Sequence, residues 1–503
     1  MSITIKSATV LGLECQPVEI EVDLTRQVNK FIIVGLPDQS VSEAKERVRQ
    51  AIYNSSYKFP RRKVVINLAP ADVKKIGSHY DLGMAIGILA IADNFSWQAE
   101  YGQACFLGEL SLSGEVKAVN GVLSVAIKMK ELGIDKLYVP EANACEAALI
   151  PQLKVFPVKN INQLVNHLSG VELIKQQPKT KIMPQLNQHF DLDLGDIHGH
   201  QQVKRALIIA AAGGHNIAMS GPPGSGKTML AKAFISILPP LTIEESLAVT
   251  NIYSIAGLLP RQHPLISQPQ FRHPHHTASG VSLIGGGSFP SPGEVTLAHH
   301  GVLFLDELSE FPRQVLENLR QPIEDKVVTI SRASGSYEFP ADFILLAAMN
   351  PCPCGFLSDP ERHCVCTPGQ IVKYRNKISG PLLDRIDLFL SVPRLQYDEL
   401  KKNHNEKKSN IFAQQILVAR KLQYQRQDNI INAQLTNKQI KKFCQLTVES
   451  EDILKQAVVS MGLSPRAYFK ILKIARTIAD LSKMIDIKSE HIAEALQYRQ
   501  RIE

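Results

Sequence analysis

Chemistry in this 503-residue chain concentrates first in one octet, Gly221-Pro222-Pro223-Gly224-Ser225-Gly226-Lys227-Thr228, a full match to G-x-x-x-x-G-K-[ST]. Glycines at these positions let backbone N–H groups turn inward around phosphates, Lys227 is placed for the β and γ oxygens, and the Thr228 hydroxyl for Mg²⁺. About 80 residues on, Gly301-Val-Leu-Phe-Leu-Asp306-Glu307 closes an apolar run with two acids. Asp306 suits the metal, held through water. Glu307 lies where a carboxylate polarises an attacking water, which favours a hydrolase over a kinase or a passive nucleotide binder. Taken singly, the octet also reads as a glycine-rich turn and the acid pair as a helix cap. Their pairing argues for nucleotide hydrolysis.

A second constellation is Cys352-Pro-Cys354, nine residues, then Cys364-Val-Cys366. Two close thiolate pairs across a short loop suit a tetrahedral all-sulfur site, with structural zinc the first reading and an iron–sulfur cluster or plain thiols the others. The remaining four cysteines are scattered, so the eight do not make a disulfide scaffold.

The elements that must position these groups are legible as period switches. Ile3 to about Ser169 alternates short apolar runs (Lys63–Leu68, Lys136–Pro140) with amphipathic stretches (Val41–Tyr53, Asp81–Asp93), as an α/β layered domain does. Gln176–Gln188 is polar, carries two prolines and reads as part of a linker. From Asp191 to about Pro393 the runs Asn216–Ser220, Val302–Leu305 and Phe343–Ala348 look like buried parallel strands, and Met229–Leu238 like the helix after the phosphate loop. Beyond the charged bridge Lys401–Lys408 the pattern is helical, as in Ser464–Leu481 and Ser489–Arg501. The expected architecture is α/β multidomain: residues 1–172, a linker 173–190, a parallel-sheet core 191–395 and a helical domain 396–503.

Composition narrows the class. With 44% hydrophobic and 21% charged residues the chain is an ordinary globular one, which excludes disordered, collagenous and coiled-coil proteins. A net charge of +8 fits an anionic partner and equally a plain soluble protein. No run approaches the roughly 18 apolar residues of a membrane helix and no leader opens the sequence, so the expectation is a cytoplasmic protein with no membrane partner.

The core resembles the AAA+ ATPases, with ATP and Mg²⁺ as implied ligands. Asn350, after the run Phe343–Ala348, resembles the sensor-1 residue that orients the lytic water. Pro381-Leu-Leu-Asp-Arg385-Ile-Asp387 resembles the segment offering an arginine finger to a neighbouring subunit's γ-phosphate, and Ser464-Pro-Arg466-Ala-Tyr468 looks like sensor 2. A planar guanidinium fork suits phosphate oxygens, although each arginine also reads as a surface ion pair. A finger acting in trans implies a homo-oligomer, here a hexameric ring.

Further segments, Phe271-Arg-His-Pro-His-His276, Gly285–Glu294, Leu297–Leu308 and Ala347–Gly355, resemble the YifB/ComM family of magnesium-chelatase-like AAA+ proteins over nearly the whole chain. That resemblance implies a ring motor on single-stranded or branched DNA, with helicase and branch-migration activity in the homologous recombination of natural transformation, and recombination proteins as partners. The rival expectation is a magnesium-chelatase-type ATPase subunit that remodels a partner protein. His200, where Gln is expected in the adenine-side box, is a small departure. An insertion at Asn251–His300 and an alternating hairpin after Lys326, with its turn near Arg332 to Gly335, resemble pore elements of related ring helicases. Arg332 is the expected DNA phosphate contact, a structural surface hairpin being the plainer reading.

Gly108–Val116 and Leu132–Pro140 resemble the Lon protease domain. Proteolysis there needs a Ser–Lys dyad, yet Tyr80-Asp81-Leu82-Gly83 occupies the nucleophile turn and Val125 the lysine position, so the expected domain is a non-proteolytic scaffold or a DNA-engaging ring. Nearby Ser78 lacks an evident base.

Overall fold

The computed structural model describes residues 2–25, 30–36, 38–75, 77–180, 192–260, 263–287, 290–332, 335–357, 359, 361–395 and 409–499.

Near the N-terminus, strands β1 (Ile3–Leu11), β2 (Glu14–Thr25), β3 (Phe31–Val34), β4 (Lys63–Ala69), β5 (Cys105–Phe106), β6 (Lys136–Pro140) and β7 (Lys154–Val158) form one mixed sheet ordered β3-β4-β2-β1-β5-β6-β7. Alternate residues of β4 are buried, as expected where one face packs on a core and the other is more open. Four helices, α1 (Gln39–Asn54), α2 (Asp81–Ile91), α3 (Val122–Glu131) and α4 (Ile161–Leu168), interleave with these strands. Asp38 caps α1 by accepting from Val41 N. Helix α2 lies against β1 and β2 because two glycines remove the bulk in between. A Cβ on Gly83 would stand 2.6 Å from Ile20, and one on Gly87 2.6 Å from Val22.

The described part of the expected linker, 173–180, contains neither helix nor strand. It is strapped to this first unit, with Gln177 N donating to Val155 O at 2.8 Å and Thr180 N to Ala148 O at 3.2 Å. Residues 181–190 lie outside the described residues.

The central unit runs α5 (Gln201–Gly213), β8 (Ile217–Ser220), α6 (Lys227–Ala233), α7 (Ile243–Ile255), β9 (Phe271–Arg272), β10 (Val302–Leu305), α8 (Arg320–Asp325), β11 (Val327–Arg332), β12 (Gly335–Pro340), β13 (Ile344–Met349), α9 (Pro368–Arg375), α10 (Gly380–Leu383) and β14 (Leu388–Ser391). Its sheet, ordered β9-β10-β13-β8-β14, is parallel throughout. All three anticipated strands are present. Two more, β9 and β14, were not singled out: β9 has only two residues, too few for a period to register, whereas β14 is a four-residue run as long as β8 and β10. The expected insertion at Asn251–His300 is also redrawn: its first residues belong to α7, and Phe271-Arg272 is an edge strand of the main sheet. The helix expected over Met229–Leu238 is α6, followed by a 3₁₀ turn at Phe234–Ile237.

Five C-terminal helices follow: α11 (Ser409–Arg426), α12 (Asn437–Phe443), α13 (Val448–Ser460), α14 (Pro465–Leu481) and α15 (Ser489–Gln497). Their apolar faces share a continuous cluster with α5 and one face of the parallel sheet. Half-buried Asp387, just before β14, anchors this packing by accepting from Asn216 N at 3.0 Å and pairing with Lys470 of α14 at 3.5 Å. Burial alone would raise the Asp387 carboxyl. His215, with its Nδ1 3.6 Å from the carboxylate, and the Lys470 charge outweigh it and hold the group well below the usual carboxylate range.

The first unit also meets the central one. Gly121 N donates to Ser254 O of α7 at 3.1 Å, the Ser254 hydroxyl donates to buried Glu146, and Gly12 packs on the Tyr337 ring of β12. Among the described residues no helix is long and apolar enough to cross a membrane.

Candidate active site

Ligand sites on open parallel sheets form beyond the carboxyl ends of the strands, and the octet stands there, after β8. Gly224 and Gly226 adopt φ of 78° and 87°, the left-handed region that glycine enters without strain. Lys227, 8% exposed, folds back over the loop, its Nζ donating to Gly221 O at 2.7 Å, Pro222 O at 2.9 Å and Asn350 Oδ1 at 3.3 Å. Burial pulls this ammonium below its ordinary value and Asp306 works against the shift. An entering polyphosphate would relieve that strain. The Ser225 hydroxyl is buried with no hydrogen-bond partner among the described residues, an orphan of the kind a phosphate oxygen satisfies.

Thr228 Oγ1 donates to Asp306 Oδ2 at 2.7 Å, so the two groups expected around Mg²⁺ are adjacent. Hard oxygen donors of this kind suit Mg²⁺, which would keep water in its remaining positions. Glu307 follows at φ 52°, a left-handed conformation rare outside glycine, and its N–H donates to Asp306 Oδ1 at 3.0 Å.

The structure adds a group that the sequence reading did not single out. Phe271 of β9 pairs with Val302 and Arg272 with Leu303. Carried four residues further, the same offset brings His276 beside Glu307, and its Nδ1 lies 3.2 Å from Glu307 Oε2. His273 follows the same register, its ring 4.8 Å from that of Phe304. The signal available was Phe271-Arg-His-Pro-His-His276, but a two-residue strand gave no register to read it with.

Asn350 directly follows β13, the strand between β8 and β10, and faces Lys227. Directly after it come the four cysteines, whose Sγ atoms all lie within 4.8 Å of one another. Three of the separations are 3.4, 3.6 and 3.7 Å. Tetrahedral zinc with Zn–S near 2.3 Å places its sulfurs about 3.8 Å apart, so the donor set fits that ion. Cys352 is fully buried, and the loop presses on the phosphate loop: a Cβ on Gly355 would stand 2.6 Å from Pro223 Cδ.

Arg385 and Arg466 come together elsewhere. Arg385 precedes β14, and its carbonyl accepts from Asn216, which precedes β8. Arg466 opens α14, one turn before Lys470, whose Nζ donates to Ile386 O at 2.7 Å. Both therefore sit at the strand starts, whereas the octet lies beyond the strand ends, roughly 13 Å away along four residues of β8. Both bind Glu324, at 2.5 Å from Arg385 and through a short contact from Arg466. The ion-pair reading of these arginines is thus realised within the chain.

Arg332 ends β11 opposite Gly335, and its guanidinium lies over Gly286 of the glycine-rich segment. The anticipated turn residues 333–334 lie outside the described residues. His200, in a left-handed conformation at the start of α5, sits beside Gly226 of the octet.

In the first unit Asp81 is 1% exposed and paired with Arg47 at 2.9 Å. Burial raises its carboxyl to about 6, against the pull of Arg47. Val125 is wholly buried. Ser78 donates to Glu109, a partner that spacing did not reveal, and among the described residues no lysine or histidine is bonded to that hydroxyl.

A phosphate loop on a five-stranded parallel sheet, with a Thr–Asp metal pair and a following Glu, defines the P-loop nucleoside-triphosphatase class. Profiles described as magnesium chelatase subunit ChlI match residues 193–400, subunit ChlI of Mg-chelatase residues 20–143, and the ChlI C-terminal region residues 406–499. The chain is 41% identical over 498 residues to competence protein ComM of Haemophilus influenzae, covering 98% of this chain and 96% of that one. It is 40% identical over 501 residues to YifB of Escherichia coli strain K12, covering 99% and 97%. Similarity to the magnesium-chelatase 67 kDa subunit of Chlorobaculum parvum is 29% over 162 residues, 31% of this chain and 23% of that one. The chain belongs to the YifB/ComM family of magnesium-chelatase-like AAA+ proteins.

Proposed function

We propose that the chain is an ATP-dependent translocase that works on single-stranded or branched DNA as a homo-hexamer, acting as a helicase and branch-migration motor in the recombination of transforming DNA. The carrying observation is end-to-end likeness to a competence protein in a chain whose phosphate-site residues stand together. In this reading Lys227 neutralises the β and γ oxygens, and Thr228 and Asp306 would hold Mg²⁺, whose chemistry there would be to screen phosphate charge. Glu307 takes the proton of the lytic water and Asn350 orients that water. Because Arg385 and Arg466 lie at the strand starts, they serve a neighbour's nucleotide rather than their own.

The division into a non-proteolytic Lon-like domain at 1–172, an AAA+ core at 191–395 and a helical lid at 396–503 is part of the same proposal. Buried Asp81 and Val125 at the dyad positions support the scaffold reading of the first domain. Arg332 contacts the DNA backbone from the hairpin, and structural zinc fills the four-cysteine site.

Similarity to a chelatase subunit supports the rival, partner-remodelling reading over less than a third of the chain. The deciding experiment measures ATP hydrolysis with and without single-stranded or branched DNA, together with strand displacement. Stimulation by DNA supports the motor. Unstimulated hydrolysis with no DNA binding at low salt rejects it.

A further inference from the structure

At the strand starts one carboxylate holds two arginines. Glu324, next to last in α8, accepts from Arg385 Nη2 at 2.5 Å and from Arg466 Nη2. Arg385 is 9% exposed at its side chain and also donates to Pro381 O, yet its Nε is buried without a hydrogen-bond partner among the described residues. A buried guanidinium donor lacking an acceptor is costly and marks a place where a further acceptor fits. Two guanidinium groups converging on one point repel each other unless an anion stands between them. Glu324 supplies one negative charge and two acceptor oxygens. A terminal phosphate supplies more of both and matches the same forks. Glu324 itself is 41% exposed, so an arriving anion can reach and replace it.

We propose that Glu324 stands in for the terminal phosphate of the neighbouring subunit's nucleoside triphosphate. In the lone chain it keeps Arg385 and Arg466 paired at the spacing of a single anion, and it yields them when a phosphate-bearing neighbour docks. The inference rests on the ring proposed above. Three residues beyond Glu324 the chain enters β11, which ends in Arg332, so release of the carboxylate and the setting of the hairpin share one short connector.

Glu324→Gln keeps the shape and removes the charge. Assembly is followed by sedimentation or single-particle mass measurement against the concentration of a non-hydrolysable ATP analogue. A stand-in predicts half-assembly of Glu324→Gln at about fivefold less analogue than wild type. The double variant Glu324→Gln with Arg385→Ala loses that gain. An unchanged or higher requirement in Glu324→Gln overturns the inference. So does unchanged assembly with a lower kcat at saturating ATP, which would make Glu324 a positioning residue alone. Wild type that binds the analogue yet stays monomeric at every concentration rejects the ring and this inference together, an outcome separate from failure of the variant alone.

Discussion

Among single residues, Glu307 carries the sharpest expectation. It follows the Asp306–Thr228 pair and bonds to it only through its backbone N–H, so Glu307→Gln should leave ATP affinity intact while lowering turnover about 10²- to 10⁴-fold. Fluorescent-nucleotide binding and phosphate release measure the two separately, and undiminished turnover would remove Glu307 from the role of base. His299 offers a test of pH dependence. Burial first, then the neighbouring His300, hold it down to about 3 from an ordinary 6.5, and its Nδ1 accepts from Asp342 N at 3.1 Å. Below pH 6.5 the unfolded chain takes a proton that the folded chain refuses. Stability attributable to His299 is therefore full above 6.5 and falls toward pH 3, by at most about 1.4 kcal/mol per pH unit. Denaturant melts at pH 7 and pH 5 should show a shallower loss in His299→Gln than in wild type.

At the level of elements, the four-cysteine loop and the phosphate loop behave as neighbours in contact. Stripping metal with a chelator should leave four thiols with no ion to hold them and loosen Gly355 from Pro223. The expected result is a several-fold rise in the KM for ATP, reversed by added zinc; less than stoichiometric zinc in the purified protein would favour plain thiols. Gly355→Ala probes the same contact without touching the thiols. With φ at 84° and 2.6 Å of clearance, the added methyl should cost about 1–3 kcal/mol and weaken ATP binding.

These elements also mark what a sequence can disclose. The octet, Asp306-Glu307 and the cysteine pairs are local in the chain, and each was readable because its chemistry depends on near neighbours. The runs that became β8, β10 and β13 were readable because strands buried on both faces are uninterrupted apolar stretches. The contact between His276 and Glu307 and the shared partner of Arg385 and Arg466 were not readable. The first depends on the register of a two-residue strand, and the second joins positions 61 and 142 residues apart through Glu324.

At the scale of the whole molecule, the +8 charge matters through its placement. Arg332 lies on a hairpin packed between the glycine-rich segment and the first unit, through Gly286 on one side and Tyr337 against Gly12 on the other. In a ring that hairpin would be repeated around a channel. Arg332→Ala should weaken DNA binding evenly across sequences and flatten the slope of log affinity against log salt by about one per contacted phosphate. A salt titration of DNA binding reads this directly, and an unchanged slope would return the hairpin to a structural role.

The phosphate loop beyond the strand ends and the arginine pair at the strand starts give the sheet a front and a back. On the trans reading, a lesion in either half damages a different partner. Arg385→Ala chains keep a sound phosphate loop and Lys227→Ala chains keep sound arginines, so two preparations that are each inert would rebuild working sites when mixed. Complementation of that kind belongs to head-to-tail association, in which every copy lends one half of a site and borrows the other.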